Sequence, residues 1–292
     1  MKQSAFFALL AIAVGLHSCK TNEAGFTKKD IRHSQKLIGL DFDKERIDVV
    51  YNYLKENKSG YDSLRAYPVP YETLPAVQFD PRPMGFQFPE KKANPPFLIP
   101  DEVSLPTDLQ EVAFYTIPQL ASLIKNRKIT SEALTRVYLD RIKRYDSQLQ
   151  SVITLTEDLA IKQAQRADQE LAAGKYRGIL HGIPYGVKDL LAVPGYPTTW
   201  GAAPYSTQVI DATAYVVRRM EEEGAVLLGK LVSGELARGD VWFGGKTKNP
   251  WDLTQGASGS SAGSGAATSA GLVAFAIGTE TLGSITAPAS RS

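Results

Sequence analysis

Residues 256–284 read GASGSSAGSGAATSAGLVAFAIGTETLGS, a stretch compatible with few folds. Seven of its positions are Gly, and most of the others are Ala, Ser or Thr. Flexible linkers share that bias, but they lack an apolar centre such as residues 272–277. The pattern predicts a Gly-Ser turn, a small-residue helix after Ser261, a buried strand over 272–277 and a second Gly-Ser turn. Small side chains let backbone approach a bound molecule closely, and Gly reaches the positive-φ turns that aim N–H groups inward. The segment reads as part of a site.

The surrounding chain has the length and composition to hold such a site in an ordered core. It has 292 residues, 43% hydrophobic and 22% charged, which excludes disorder, a collagen-like repeat and a multi-span membrane protein. Lys plus Arg (33) nearly balance Asp plus Glu (31), leaving a charge of +2. No basic block stands out, so nucleic acid is not implied as a partner. The single Cys excludes an internal disulfide framework or a multi-thiolate metal site. With three His in all, no metal centre and no other cofactor is expected.

The first residues read as an address. Lys2 precedes an apolar run over residues 5–15, too short for the roughly 20 residues of a membrane span and typical of a signal peptide. Leu16-His17-Ser18-Cys19 resembles the lipobox of bacterial lipoproteins. That implies removal of residues 1–18, acylation of Cys19 and anchoring of an exported chain to a bilayer of the bacterial cell envelope. An ordinary signal peptide with an incidental Cys19 is the alternative. Processing leaves only His33 and His181.

Residues 19–113 read as a preface. A helical stripe of Ile47, Val50, Tyr51 and Leu54 predicts a helix over 43–57. Residues 68–106 hold ten of the seventeen prolines, interleaved with Tyr71, Phe79, Phe86, Phe88 and Phe97. Proline at that density excludes regular helix or central strand, so an extended arm is expected. From residue 114 the texture becomes α/β. Thr116 caps a helix with Pro118 in its first turn, running to about 126. Helices follow over 130–145, over 157–173 and from an Asp211 cap to Gly224. Strands are expected over 151–156, 183–187 and 225–228, making a sheet covered by helices on both faces.

Several ordered motifs carry a resemblance. Gly259-Ser260-Ser261-Ala262-Gly263-Ser264 is followed by Gly278-Thr279-Glu280-Thr281-Leu282-Gly283-Ser284-Ile285-Thr286-Ala287-Pro288. Upstream stand His181-Gly-Ile-Pro-Tyr-Gly-Val-Lys188-Asp189, then Gly224-Ala225-Val226 leading to Gly229-Lys230, then Asn249-Pro250-Trp251-Asp252. Together they make residues 114–292 resemble the amidase signature family. The resemblance implies a mixed central β-sheet covered by helices and hydrolysis of a small-molecule amide. It also implies a Ser–cis-Ser–Lys triad of Ser284, Ser260 and Lys188. Ser284 would attack the amide carbon and become acylated. Ser260, after a cis peptide bond, would relay the proton to Lys188. Lys188 would have to be neutral, well below its ordinary value of about 10.4, a shift open to Lys and closed to Arg. Backbone N–H groups of Thr281, Leu282, Gly283 and Ser284 would form the oxyanion hole. Scarcity of His supports this independently, since a hydrolase without a His base needs another one.

Glu280, Leu282 and Thr286 depart from the usual Asp, Gly and Arg of the family pattern. Family members continue well beyond the nucleophile motif, so this chain is expected to be the N-terminal portion of the domain, poorly stable and nearly inactive by itself. A non-catalytic envelope lipoprotein with a degenerate or truncated amidase fold is the competing reading, and the oligomeric state is unspecified. Two decoys are set aside. Ser122-Leu-Ile-Lys125 matches a penicillin-binding motif without its Lys-Thr-Gly partner and is expected on a helix surface. Gly244-Gly245-Lys246-Thr247 has Asp240 where a phosphate loop needs its first Gly.

Overall fold

A computed structural model describes residues 25–71, 73–74, 76, 82–87 and 98–292. The signal segment, Cys19, Phe79, Phe88 and Phe97 lie outside the described residues. The chain divides into two units, residues 1–90 and 91–292, so residues 98–113 of the expected preface go with the second. In the first unit, α1 (Lys28–Leu37) starts at a Thr27–Asp30 capping box, and α2 (Lys44–Ala66) starts at an Asp43 cap. α2 outruns its expected end near residue 57. An interior Gly such as Gly60 costs about 1 kcal/mol, and the Lys58–Asp62 pair one turn apart (2.5 Å) supports the helix across it. The described residues between Tyr67 and Gln87 form no helix or strand.

The second unit opens with a 3₁₀ turn over Leu109–Phe114 and then α3 (Ile117–Lys125), where Thr116 and Gln119 form a capping box and Pro118 sits in the first turn. Its Ser122 is buried, not on the helix surface as expected; the hydroxyl accepts from Asn126 Nδ2 at 3.3 Å. α4 (Ser131–Leu149) is capped by Thr130 and ends only at Gln150, which takes a left-handed conformation. β1 (Val152–Leu155) and α5 (Glu157–Ala172) follow, with Gly174 at φ 82° just beyond. β2 (Pro184–Lys188) is buried throughout. α6 (Tyr215–Glu222) is shorter than expected, and Asp211 is not its cap. Ala214 N–H donates instead to the Ala192 carbonyl (3.0 Å), so a tertiary contact sets the helix start.

β3 (Val226–Leu231) is the second fully buried strand. Two small ribbons follow: β4 (Val241–Trp242) with β5 (Gly245–Lys246), and β6 (Lys248–Asn249) with β7 (Asp252–Gly256). The phosphate-loop decoy thus lies on a ribbon. α7 (Ala262–Ser269) is the small-residue helix. The following strand, β8 (Phe275–Ile277), is shorter than expected and half-buried, because it stands at a sheet edge. α8 (Thr286–Arg291) ends the chain.

The main sheet has the order β1-β3-β2-β8. β1 runs antiparallel to β3, while β2 is parallel to both β3 and β8. It is the mixed sheet that the resemblance implied. One face packs Val226, Leu228 and Leu231 against Leu120, Leu134, Tyr138 and Ala267 of α3, α4 and α7. The other packs Tyr185, Val187 and Leu227 against Val217 of α6 and Val193. Strands buried on both faces read as continuous apolar runs, and here a lysine is carried into each face.

Candidate active site

Lys188 closes β2 and lies opposite Leu231 of β3 in the register. Its side chain is completely buried. Nζ donates to Ser260 Oγ at 2.7 Å and to the Thr279 carbonyl at 3.3 Å. Burial disfavours the ammonium and brings this amine down to about 8. An aliphatic stem that reaches the end of a buried strand delivers its amine to the loops at the carboxyl edge of the sheet, where open α/β folds place their sites.

Ser260 is buried and follows a cis peptide bond from Gly259. The turn is held tightly. The Ser260 carbonyl accepts from Gly234 N–H (3.0 Å), and Ser258 N–H donates to Asp240 Oδ2 (2.9 Å). A Cβ at position 259 would collide with the Gly239 carbonyl, so this residue must be Gly. Ser261 ties the turn to the second Gly-Ser segment. Its hydroxyl donates to the Thr279 carbonyl (3.1 Å) and accepts from Thr279 N–H (3.2 Å), while its N–H donates to the Ser284 carbonyl (2.9 Å).

The second segment is built differently. Ser284 is half-buried, and among the described residues its hydroxyl is hydrogen-bonded to neither Ser260 nor Lys188. Thr281 and Leu282 are exposed, Leu282 to 92%. The N–H groups of Thr281, Leu282 and Ser284 enter no hydrogen bond among the described residues, which leaves them open to an incoming oxygen. Gly283, at φ 76°, differs from that expectation: its N–H leans on the Glu280 carboxylate. Glu280 also accepts from Ile285 N–H (2.7 Å) and Thr286 N–H (2.8 Å), and these bonds hold its carboxyl below the usual range. The departure from Asp at this position preserves a brace across the loop.

The two histidines among the described residues stand apart from this chemistry. His33 is exposed on α1. His181 is buried with Nε2 against the Ala167 carbonyl (2.9 Å), and burial lowers its basicity. Among the described residues no group of three or more His, Cys, Asp or Glu could hold a metal ion, and no helix is long and apolar enough to cross a membrane. A cavity of about 350 Å³ lies behind the loop, lined by Ser261, Phe275, Gly278 and Ile285 but by none of Lys188, Ser260 and Ser284.

Sequence reading passed over Asp189 and Lys230, although both stood in its motifs. They form a fully buried ion pair at 2.6 Å. The signal available was strand alternation: in Val-Lys-Asp the lysine and aspartate must face opposite ways.

Two serine- and glycine-bearing turns meet one buried lysine amine in a mixed α/β fold, through Ser260 Oγ and the Thr279 carbonyl. The amidase family model matches residues 133–292, more than half of the chain, and the chain belongs to that family. A glutamyl-tRNA(Gln) amidotransferase component from Thermoanaerobacter pseudethanolicus is 38% identical over 183 residues, which are 62% of this chain and 37% of that protein. The native peptide amidase from Stenotrophomonas maltophilia superposes with a TM-score of 0.58 at 38% identity, covering 62% of this chain and 39% of that one. A bacterial aryl acylamidase of the amidase signature enzymes gives a TM-score of 0.58 at 28% identity, over 61% and 38%. The chain spans less than two fifths of the length of these relatives.

Proposed function

We propose that this polypeptide serves hydrolysis of a carboxamide C–N bond in a small molecule through an acyl-enzyme on Ser284. The observation that carries the reading is the 2.7 Å contact between the buried Lys188 amine and Ser260 Oγ. A neutral lysine has one lone pair and two N–H groups. For the transfer the Lys188–Ser260 contact reverses, Ser260 Oγ–H donating to the amine lone pair, while one N–H remains for the Thr279 carbonyl. Ser260 in turn accepts the proton of Ser284 as Ser284 Oγ bonds to the amide carbon. Free N–H groups of Thr281, Leu282 and Ser284 face the oxyanion, a contribution of several kcal/mol in sites of this kind. The stored proton then leaves on the amine as the C–N bond breaks, and water hydrolyses the ester. No cofactor enters this scheme.

A fluorophosphonate probe tests it. Ser284 is expected to be labelled, and Lys188→Met is expected to slow labelling by about 10³-fold. Labelling elsewhere, or at Ser284 with undiminished rate in that variant, contradicts the reading. The unengaged Ser284 hydroxyl favours the second reading, a non-catalytic envelope lipoprotein. Complete absence of labelling in the folded chain supports it. For the amino terminus we propose export, cleavage before Cys19 and lipid attachment there. Mass spectrometry of the membrane-extracted protein tests this, and an unmodified Cys19 contradicts it.

A further inference from the structure

The two buried lysines of this fold stand on neighbouring strands and face opposite sides of one sheet. Lys230 lies opposite Val187 in the β2–β3 register and Lys188 opposite Leu231. Val187 belongs to the α6 face and Leu231 to the α3–α4–α7 face. Asp189 N–H continues the ladder to the Leu231 carbonyl (2.8 Å), so its side chain returns to the Val187 side, away from Lys188. There Lys230 Nζ forms an ion pair with Asp189 Oδ1 at 2.6 Å and donates to the Pro197 carbonyl and Thr198 Oγ1, each at 2.6 Å. Burial weakens this amine as a base, and the Asp189 carboxylate with two hydrogen-bond acceptors favours its charged form against that. The other carboxylate oxygen, Asp189 Oδ2, accepts from Thr199 N–H (2.9 Å) and Thr199 Oγ1 (2.5 Å).

A carboxylate fixed on the residue after Lys188, in a dry interior, favours a charged amine there. Among the described residues the amine has no anionic partner of its own, only a hydroxyl and a carbonyl. We propose that Lys230 is a positioning residue for this reaction, its ammonium cancelling the Asp189 charge so that Lys188 remains available as a base. The proposal rests on the reading of Lys188 given above.

Other charges around Lys188 are already committed or exposed. The serine-rich turn and α7 contribute hydroxyls only, and β8 carries no charge. Glu280 is turned to the Ile285 and Thr286 N–H groups. On the 233–240 loop, Glu235 and Arg238 are exposed and Asp240 accepts from Ser258 N–H. On α4, Arg141 donates to the Gly271 and Ala270 carbonyls, and Asp146 accepts from Ser151 and Val152. Asp189 and Lys230 remain as the fixed, fully buried charges on the opposite face of the strands that carry the amine.

The test reads the amine directly, without turnover. In the full chain labelled with 13Cε-lysine, the Lys188 resonance is assigned by its loss in Lys188→Met and titrated against pH. Lys230→Met leaves Asp189 uncompensated and is expected to raise the Lys188 midpoint by about one pH unit. Asp189→Asn leaves Lys230 uncompensated and is expected to lower it. The double variant, which keeps the packing volume and no charge, is expected to restore it and stays informative if one single variant fails to fold. A purely structural role moves both single variants the same way or neither, and that result overturns the proposal. Failure of Ser284 labelling together with these opposite shifts refutes the hydrolase reading and leaves the electrostatic one standing.

Discussion

The two halves of the site are made to different standards. Around Lys188 and Ser260 every polar group named has a partner, and both side chains are buried. Across the Thr281–Ser284 loop, the N–H groups of Thr281, Leu282 and Ser284 enter no hydrogen bond among the described residues, and Leu282 is 92% exposed. Desolvation teaches why. A base that must be neutral has to be sealed from water, since water stabilises its charged form. Oxyanion donors must instead stay unpaired until an oxygen arrives. Under the proposed mechanism, one half has its geometry completed by the fold, and the other is completed by the substrate.

That contrast can be broken from either side. Ser260→Ala removes the bridge while leaving Lys188 buried. Ser284 labelling is expected to fall by about 10²-fold, measured as the second-order rate with the probe; an unchanged rate would mean that Lys188 reaches Ser284 without Ser260. Glu280→Gln weakens the brace under the loop and not the base. About a 10-fold slower labelling is expected, with the Lys188 titration unmoved, and a shifted titration would show that the halves are one unit. Leu282→Ala is the smallest change. Its side chain is exposed, so thermal unfolding is expected to stay within about 0.5 kcal/mol of the parent and labelling within about twofold.

Local chemistry made part of this legible in advance. The start of α3 follows from Thr116 and Pro118, within one turn. The starts of α4 and α2 follow from Thr130 and Asp43. Where a tertiary contact decided, the sequence reading missed. Asp211 looked like a cap, but Ala214 is tied to Ala192 and the helix begins later. Residues 272–277 looked like one buried strand, but only Phe275–Ile277 pairs, at the edge of the sheet formed by the described residues. Lys188 and Ser260 were named through the family resemblance, and their contact depends on how the turn after β7 folds back over the end of β2. The Asp189–Lys230 pair depends on the β2–β3 register, which no window of sequence displays.

Burial also sets a pH dependence. Between about 8 and the ordinary lysine value of 10.5, the unfolded chain holds a proton that folded Lys188 has released. The unfolded state binds more protons in that window, so this group's contribution to stability rises with pH there. Under the proposed mechanism reactivity follows the same ionisation, because only a neutral amine can accept the Ser260 proton. The most direct measurement is the rate of Ser284 labelling from pH 6 to 10 in the folded chain. A rise with a midpoint at about 8 that vanishes with Lys188→Met is the expected result; a flat profile, or the same midpoint in the variant, would contradict the assignment of Lys188 as the base.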